Sequence, residues 1–462
     1  MSSGNAAEAR ADADATGATP TAPPRAPTRG EALRYWWRLG WISFGGPAGQ
    51  IAIMHRELVD ERRWISEARF LHALNFCMVL PGPEATQLAT YIGWLMHRTA
   101  GGLVAGILFV LPSLAVLIAL SWVYLAYGSV PAIAGVLYGV KPAVVAIVLH
   151  AAWRIGSRAL KHPVLWLMAA AAFVAIFAFD APFPAIVVAA GAIGALGGRL
   201  LPRAFAARSG PAATGAPHAG ALIDDATPPP PHARYRPAHL ARVIAAFVAV
   251  WGAAYAALGL AFGWDGTLAR MAWFFTKAAL LTFGGAYAVL PYVYQGAVET
   301  FGWLTAPQMI DGLALGETTP GPLIMVVAFV GFVGAWTHVA LGAAPVWAAG
   351  VAGACVATFF TFLPSYLFIL AGGPVVESTH GQLRFTAPLT GITAAVVGVI
   401  VNLAVFFALH VFFPGGRGGA IDVVAATIAA LAALALFRFK AGVIPVILAC
   451  GALGLVATLA RT

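Results

Sequence analysis

The chain has 462 residues, 60% of them hydrophobic and 10% charged, with a formal net charge of +9. A soluble surface draws on about 25% charged residues, so lipid must be the solvent for most of this chain, and water-soluble enzymes and nucleic-acid binders are excluded. The surplus positive charge then reads as charge retained on cytoplasmic loops.

In chain order, residues 1–30 are rich in Ala, Thr, Pro and Asp and have no apolar run, which predicts a disordered cytoplasmic tail and no leader. Apolar runs follow at about 35–54, 68–97, 103–127, 131–152, 163–179 and 182–199. A polar stretch at 203–239 holds Pro228–Pro231. Beyond it come runs at 241–262, 268–296, 306–338, 343–371, 386–411, 420–437 and 441–459. The expectation is an all-α integral membrane protein with about 10–13 transmembrane segments. Its divisions are a tail (1–30), a first membrane repeat (31–200), a cytoplasmic linker (201–240), an extra linking helix (241–264) and a second repeat (265–462).

Basic residues before the first run place the N-terminus in the cytoplasm. Counting thirteen crossings puts Arg154, Arg158, Lys161, the linker, Arg384, Arg438 and Lys440 on that side. The same count puts the mixed-charge loop 54–67 on the opposite side.

The sequence repeats itself. Phe44-Gly45-Gly46 recurs as Phe283-Gly284-Gly285, Trp64 as Trp303 and Pro81-Gly82-Pro83 as Pro320-Gly321-Pro322, all at an offset of 239. Leu111-Pro112-Ser113 and Ala143-Val144-Val145 recur as Leu363-Pro364-Ser365 and Ala395-Val396-Val397, at an offset of 252. Six spans plus the unmatched one at 241–262 make an odd number, so the second repeat lies inverted. Inverted repeats with a midplane site are a common build of secondary transporters.

Pro-Gly-Pro breaks a helix, because proline lacks an N–H and glycine opens otherwise closed conformations. The freed groups need protein or water, and a half-helix starting after Pro83 or Pro322 offers N–H groups to an anion. A kink used only for packing is the bland alternative, and two breaks at matched positions weigh against it. Gly45-Gly46 and Gly284-Gly285 allow close backbone approach, with helix packing an equal reading. Lys141 lies about 15 Å from either interface at 1.5 Å per residue, too far to snorkel, so it should face a cavity or a carboxylate. Arg38 and Lys277 are repeat equivalents that could also snorkel. Glu84 follows the first break and Glu317 precedes the second. Each could pair with a cation or carry a coupling proton. Thr318 and Thr319 add hydroxyls beside the second break. Ser66 and Thr305 look like helix caps. Cys77, Cys355 and Cys450 read as small core residues. No nucleotide-binding, metalloprotease, nucleophile-elbow or haem motif occurs, and no cofactor is expected.

The ordered set Phe44-Gly45-Gly46-Pro47, Trp64 and Pro81-Gly82-Pro83, with its second copy, resembles the chromate ion transporter family in its long-chain, two-domain form, over roughly 31–460. The resemblance implies secondary, gradient-driven export of chromate from the cytoplasm through a bacterial inner membrane, with sulfate as a competing analogue. A sulfate or other anion importer or channel on the same scaffold is the alternative. A coupling proton and a homodimer are left open as partners. The family's first half is held to be the more directly involved, and here Lys141 becomes Thr393 and Pro47 becomes Ala286 in the second.

Overall fold

A computed structural model describes residues 24–205, 220–224, 227–228, 230–379, 386–416 and 419–461. Most of the amino-terminal tail, part of the linker and Arg384 lie outside them. The described residues are almost wholly helical, with a single isolated parallel bridge between Ile65 and Ile223. Among the described residues six helices are long and apolar enough to cross a membrane and four shorter ones are similarly apolar, so the all-α membrane class holds.

Each repeat begins with two helical hairpins. In the first, α1 (Arg29–Ile42) turns at 43–45 into α2 (Gly46–His55), which continues as a π-helical turn, Arg56–Glu61. In the second, α3 (Glu67–Val79) turns through Pro81-Gly82-Pro83 into α4 (Glu84–Tyr127). Helix α4 folds back on itself where His97 and Arg98 leave helical geometry, Arg98 at φ 59°. Small residues make this fold-back close: a Cβ on Gly102 would stand 2.9 Å from the Thr90 carbonyl, and one on Gly93 would stand 2.6 Å from the Ala105 Cβ. The arm 84–96 thus runs beside the segment that follows it.

The second repeat copies this plan. Helix α9 (Thr267–Leu281) turns at 282–285 into α10 (Ala286–Tyr294) and its own π-helical turn, Gln295–Thr300, again offset by 239. Helix α11 (Ala306–Thr318) turns through Pro320-Gly321-Pro322 into α12 (Val326–Thr337). The remaining helices are α5 (Pro131–Ala159), α6 (Pro163–Phe179), α7 (Phe183–Leu200), α8 (Pro237–Phe262), α13 (Val346–Thr379), α14 (Thr386–Phe412), α15 (Val423–Phe437) and α16 (Val443–Leu459). Helix α8 buries only Gly259, as expected of a helix that lipid surrounds.

The broken runs are re-entrant, returning to the face they entered. The outer ends of the first repeat's hairpins meet: the His97 ring lies 3.2 Å from the Pro27 carbonyl. The linker docks there too. The Ser66 amide donates to the Ile223 carbonyl at 3.0 Å, the Ile223 amide donates to the Trp64 carbonyl at 3.1 Å, and the His232 ring meets the Trp94 carbonyl at 2.9 Å. This corrects the sidedness read from charge alone. Backbone hydrogen bonds need both strands at one surface, so the 54–67 loop shares its face with the linker. The count erred because it took each hairpin as a single crossing.

Candidate functional site

The four hairpin tips form one cluster, held by reciprocal bonds between the repeats. The Gly82 amide donates to the Thr282 carbonyl at 2.8 Å, and the Gly321 amide donates to the Ser43 carbonyl at 2.7 Å. Ser43 and Thr282 are repeat equivalents, as are Gly82 and Gly321, so the two bonds are copies related by a pseudo-two-fold axis. A second pair obeys the same symmetry. A Cβ on Gly82 would stand 2.5 Å from Ser365 Oγ, and one on Gly321 would stand 2.9 Å from the Ser113 Cβ. The polypeptide approaches this closely only because positions 82 and 321 are glycines, at φ 124° and 98°. Gly45, Gly46, Gly284 and Gly285 also have positive φ. Within the second repeat, the Tyr287 hydroxyl donates to Glu317, tying its two tips together.

Thr28, Ser66 and Thr305 cap the outer starts of α1, α3 and α11 with side-chain oxygens, as expected for Ser66 and Thr305. The starts of α2, α4, α10 and the turn leading into α12 have no side-chain cap. The positive ends of their dipoles lie at the cluster.

Of the eleven buried side-chain polar atoms without partners among the described residues, five lie at or beside the tips: Ser43 Oγ, Gln50 Oε1 and Ser113 Oγ on the Gly321 side, and Thr86 Oγ1 and Gln87 Oε1 on the Gly82 side. Gln50 is fixed by donating to the Gly321 carbonyl at 2.5 Å, and Gln87 by donating to the Pro81 carbonyl at 2.7 Å. Leaving such groups unpaired costs about 1–3 kcal/mol each, which favours a polar occupant. Sequence reasoning passed over Ser43, Gln50, Thr86 and Ser113, since single polar residues in apolar runs look like packing. Their nearness to the glycine motifs was the available signal for Ser43 and Thr86.

The other expected site residues fall into three groups. Glu84 lies at its tip, its Oε1 3.9 Å from where a Gly285 Cβ would be. Glu317 also lies at its tip, within reach of the Arg154 charge. The Thr318 and Thr319 hydroxyls donate to the Leu315 and Gly316 carbonyls of their own helix, both at 2.9 Å, and are occupied there. Arg38 and Lys277 point outward. Arg38 is 61% exposed, and Lys277 stands 5.8 Å from the Trp273 ring. Phe44, 37% exposed, leaves its side chain outside the cluster.

Lys141 stands elsewhere, 3.4 Å from Asp311 Oδ2, so it has both a carboxylate and a cavity. The cavity, about 520 Å³, is lined by Lys141, Tyr138, Ile310, Phe406, His410 and Asp422 among others. Among the described residues no group of three or more His, Cys, Asp or Glu could hold a metal.

The model of the chromate transporter family matches residues 30–195 and 269–455, one match on each repeat. The chain belongs to the chromate transporter family. It is 35% identical to a chromate transport protein of Pseudomonas aeruginosa over 95% of both chains. It is 30% identical to one of Cupriavidus metallidurans over 96% of this chain and 97% of the other. An uncharacterised transporter of Methanocaldococcus jannaschii is 25% identical over 81% of this chain and 83% of its own. No solved structure matches. The two stretches that the family model covers contain all four tips.

Proposed function

We propose that this protein is a secondary transporter that carries chromate out of the cytoplasm, and that the four hairpin tips bind it in passing. One observation carries the reading: four helix N-termini without side-chain caps and three unpartnered hydroxyls, those of Ser43, Thr86 and Ser113, lie together at the tips. Such N–H and O–H groups suit an oxyanion, which only accepts hydrogen bonds. Family membership supplies the name of the anion. Sulfate shares its charge and shape and should compete. Carboxylates at Glu84 and Glu317 lower the affinity, which helps release.

In this reading the repeats 31–200 and 265–462 rock about the cluster, linked through 201–240 and the helix at 241–264. The face holding the linker is the cytoplasmic one. It carries Arg56, Arg62, Arg63, Arg98, Arg158, Lys161 and Arg438, whereas Asp180, Asp265, Glu299 and Asp422 stand at the other end of the helices. The N-terminus is then cytoplasmic, in a bacterial inner membrane. A negative cell interior drives anions outward at about 2.3 kcal/mol per charge per 100 mV. Inside-out vesicles holding the protein should accumulate labelled chromate when their lumen is made positive, and unlabelled sulfate should slow this. Flux that ignores sulfate and potential contradicts the reading.

A further inference from the structure

A buried ion pair joins the two repeats on each side of the tip cluster. Toward the linker face, Arg69 of the first repeat meets Glu377 of the second at 2.6 Å. Their side chains are 13% and 1% exposed. The Tyr91 hydroxyl also donates to Glu377, and Arg69 donates to the Thr227 carbonyl at 3.0 Å. Toward the other face, Lys141 of the first repeat meets Asp311 of the second at 3.4 Å, and the Tyr124 hydroxyl donates to Asp311 Oδ2 at 3.0 Å.

The two pairs are built alike and finished differently. The Arg69 pair is short, closed in and covered by the linker. The Lys141 pair is longer, and the Lys141 side chain is 30% exposed. Lys141 lines the 520 Å³ cavity, whose rim is the loop carrying Phe413, Pro414 and Gly416. Asp311 is 2% exposed, and its Oδ1 has no hydrogen-bond partner.

A small dianion entering that cavity meets Lys141 first. If it takes the ammonium, Asp311 keeps only the Tyr124 hydroxyl as its partner. A buried carboxylate that loses its counter-ion holds its charge at great cost, and protonation removes that cost. The other titratable groups lining the cavity do not replace the lost cation. Asp422 is a second carboxylate, not a cation, and accepts from the Tyr138 hydroxyl at 2.7 Å. His410 is bound to the Phe406 carbonyl at 2.9 Å, and Arg461 sits over the Tyr138 ring, 5.5 Å from its centre. Among the described residues, helices α12, α14 and α16, which also pack on α11, bring no other charged side chain into this cavity.

We propose that Lys141 and Asp311 form an exchange site at which an oxyanion displaces the carboxylate from the ammonium and Asp311 takes up a proton from the cavity. The balance is simple: the dianion gains the lysine cation, and Asp311 gains one proton, which forms an O–H bond on the carboxyl. Anion binding at this site is thereby linked to uptake of one proton, and the occupied site adds one net negative charge fewer to the low-dielectric centre. This rests on the oxyanion reading above and goes beyond it, because the site lies apart from the tips and assigns the coupling proton to a residue.

The test is chromate titration of the purified full-length protein in weak buffer, following proton uptake and affinity together. The wild type should take up one proton more per bound anion than Asp311→Asn, a difference that cancels the chromate's own protonation. Wild-type affinity should fall with rising pH by up to about tenfold per unit, whereas Asp311→Asn should bind with a flatter pH dependence and more tightly. Asp311→Glu should restore the uptake. Lys141→Met/Asp311→Asn, which removes both charges and leaves neither unpaired, should fold and show no linked uptake. Equal uptake by wild type and Asp311→Asn, with chromate bound by both, overturns the exchange site and spares the oxyanion reading. A wild type that binds neither chromate nor sulfate overturns both.

Discussion

Gly321 donates its amide to the carbonyl of Ser43 at 2.7 Å, and these two residues belong to different repeats. The bond makes each helix break part of the other repeat's site. Neither repeat can complete the cluster alone, because the carbonyl before one glycine pair is the partner of the other repeat's Pro-Gly-Pro.

The tips should therefore be intolerant of side chains where backbones cross and tolerant where they do not. Gly82→Ala would place a Cβ 2.5 Å from Ser365 Oγ in a conformation with φ 124°. Gly46→Ala, at φ 71°, meets nothing within 4 Å. The left-handed backbone alone costs about 1–2 kcal/mol. Thermal unfolding in detergent should show a small loss for Gly46→Ala and a larger one for Gly82→Ala.

Arg69→Met leaves the Glu377 carboxylate buried without its cation, a change that costs about 3–5 kcal/mol. Arg69→Met/Glu377→Gln removes both charges and should recover part of that loss. The double-mutant cycle, read by thermal unfolding, checks this; additive losses would mean the pair is not coupled.

Sidedness can be read by labelling. Single cysteines at Glu61 and Pro228 should react with an impermeant thiol reagent from the same side of the membrane. Cysteines at Asp180 and Gly302 should react from the opposite side. A cysteine at 61 that labels with the one at 302 would restore a full crossing in the first hairpin.

The docked linker should loosen in acid. Burial at the protein surface lowers the His232 pKa below its ordinary value, with the Trp94 carbonyl opposing that effect. A lowered pKa means the docked state favours neutral histidine. Docking is then fully supported above the ordinary value of about 6.5 and weakens as pH falls through the lowered one. Hydrogen exchange at residues 222–224, 232 and 233 should quicken on going from about pH 7 to about pH 5 by more than the intrinsic pH dependence of exchange allows. His232→Gln should remove the pH dependence.

Much of this architecture is legible in the sequence, because glycine and proline leave marks that helices of Ala, Val and Leu do not. The offset of 239 locates all four tips. Ser66 and Thr305 announce their caps, and mid-run Lys141 announces a partner. Re-entrance is not legible: two arms of 10 to 16 residues joined by a glycine turn sum to the length of one crossing, and hydropathy does not record direction. Asp311 is missed because its partner Lys141 lies 170 positions away in sequence, on the other repeat. Arg38 and Lys277 attract notice as charges in apolar runs, yet each stands where its stem can reach outward.

The most direct test of the central claim is chromate flux in proteoliposomes made with the wild type and with Ser43→Ala/Ser113→Ala. Both hydroxyls are buried and neither has a partner in the protein, so their removal should leave the unfolding temperature nearly unchanged. Each hydrogen bond to a charged ligand contributes about 1.5–3 kcal/mol, so the double variant should move chromate at least roughly a hundredfold less efficiently at low concentration. Wild-type flux that is absent, or a double variant as efficient as the wild type, would contradict the account.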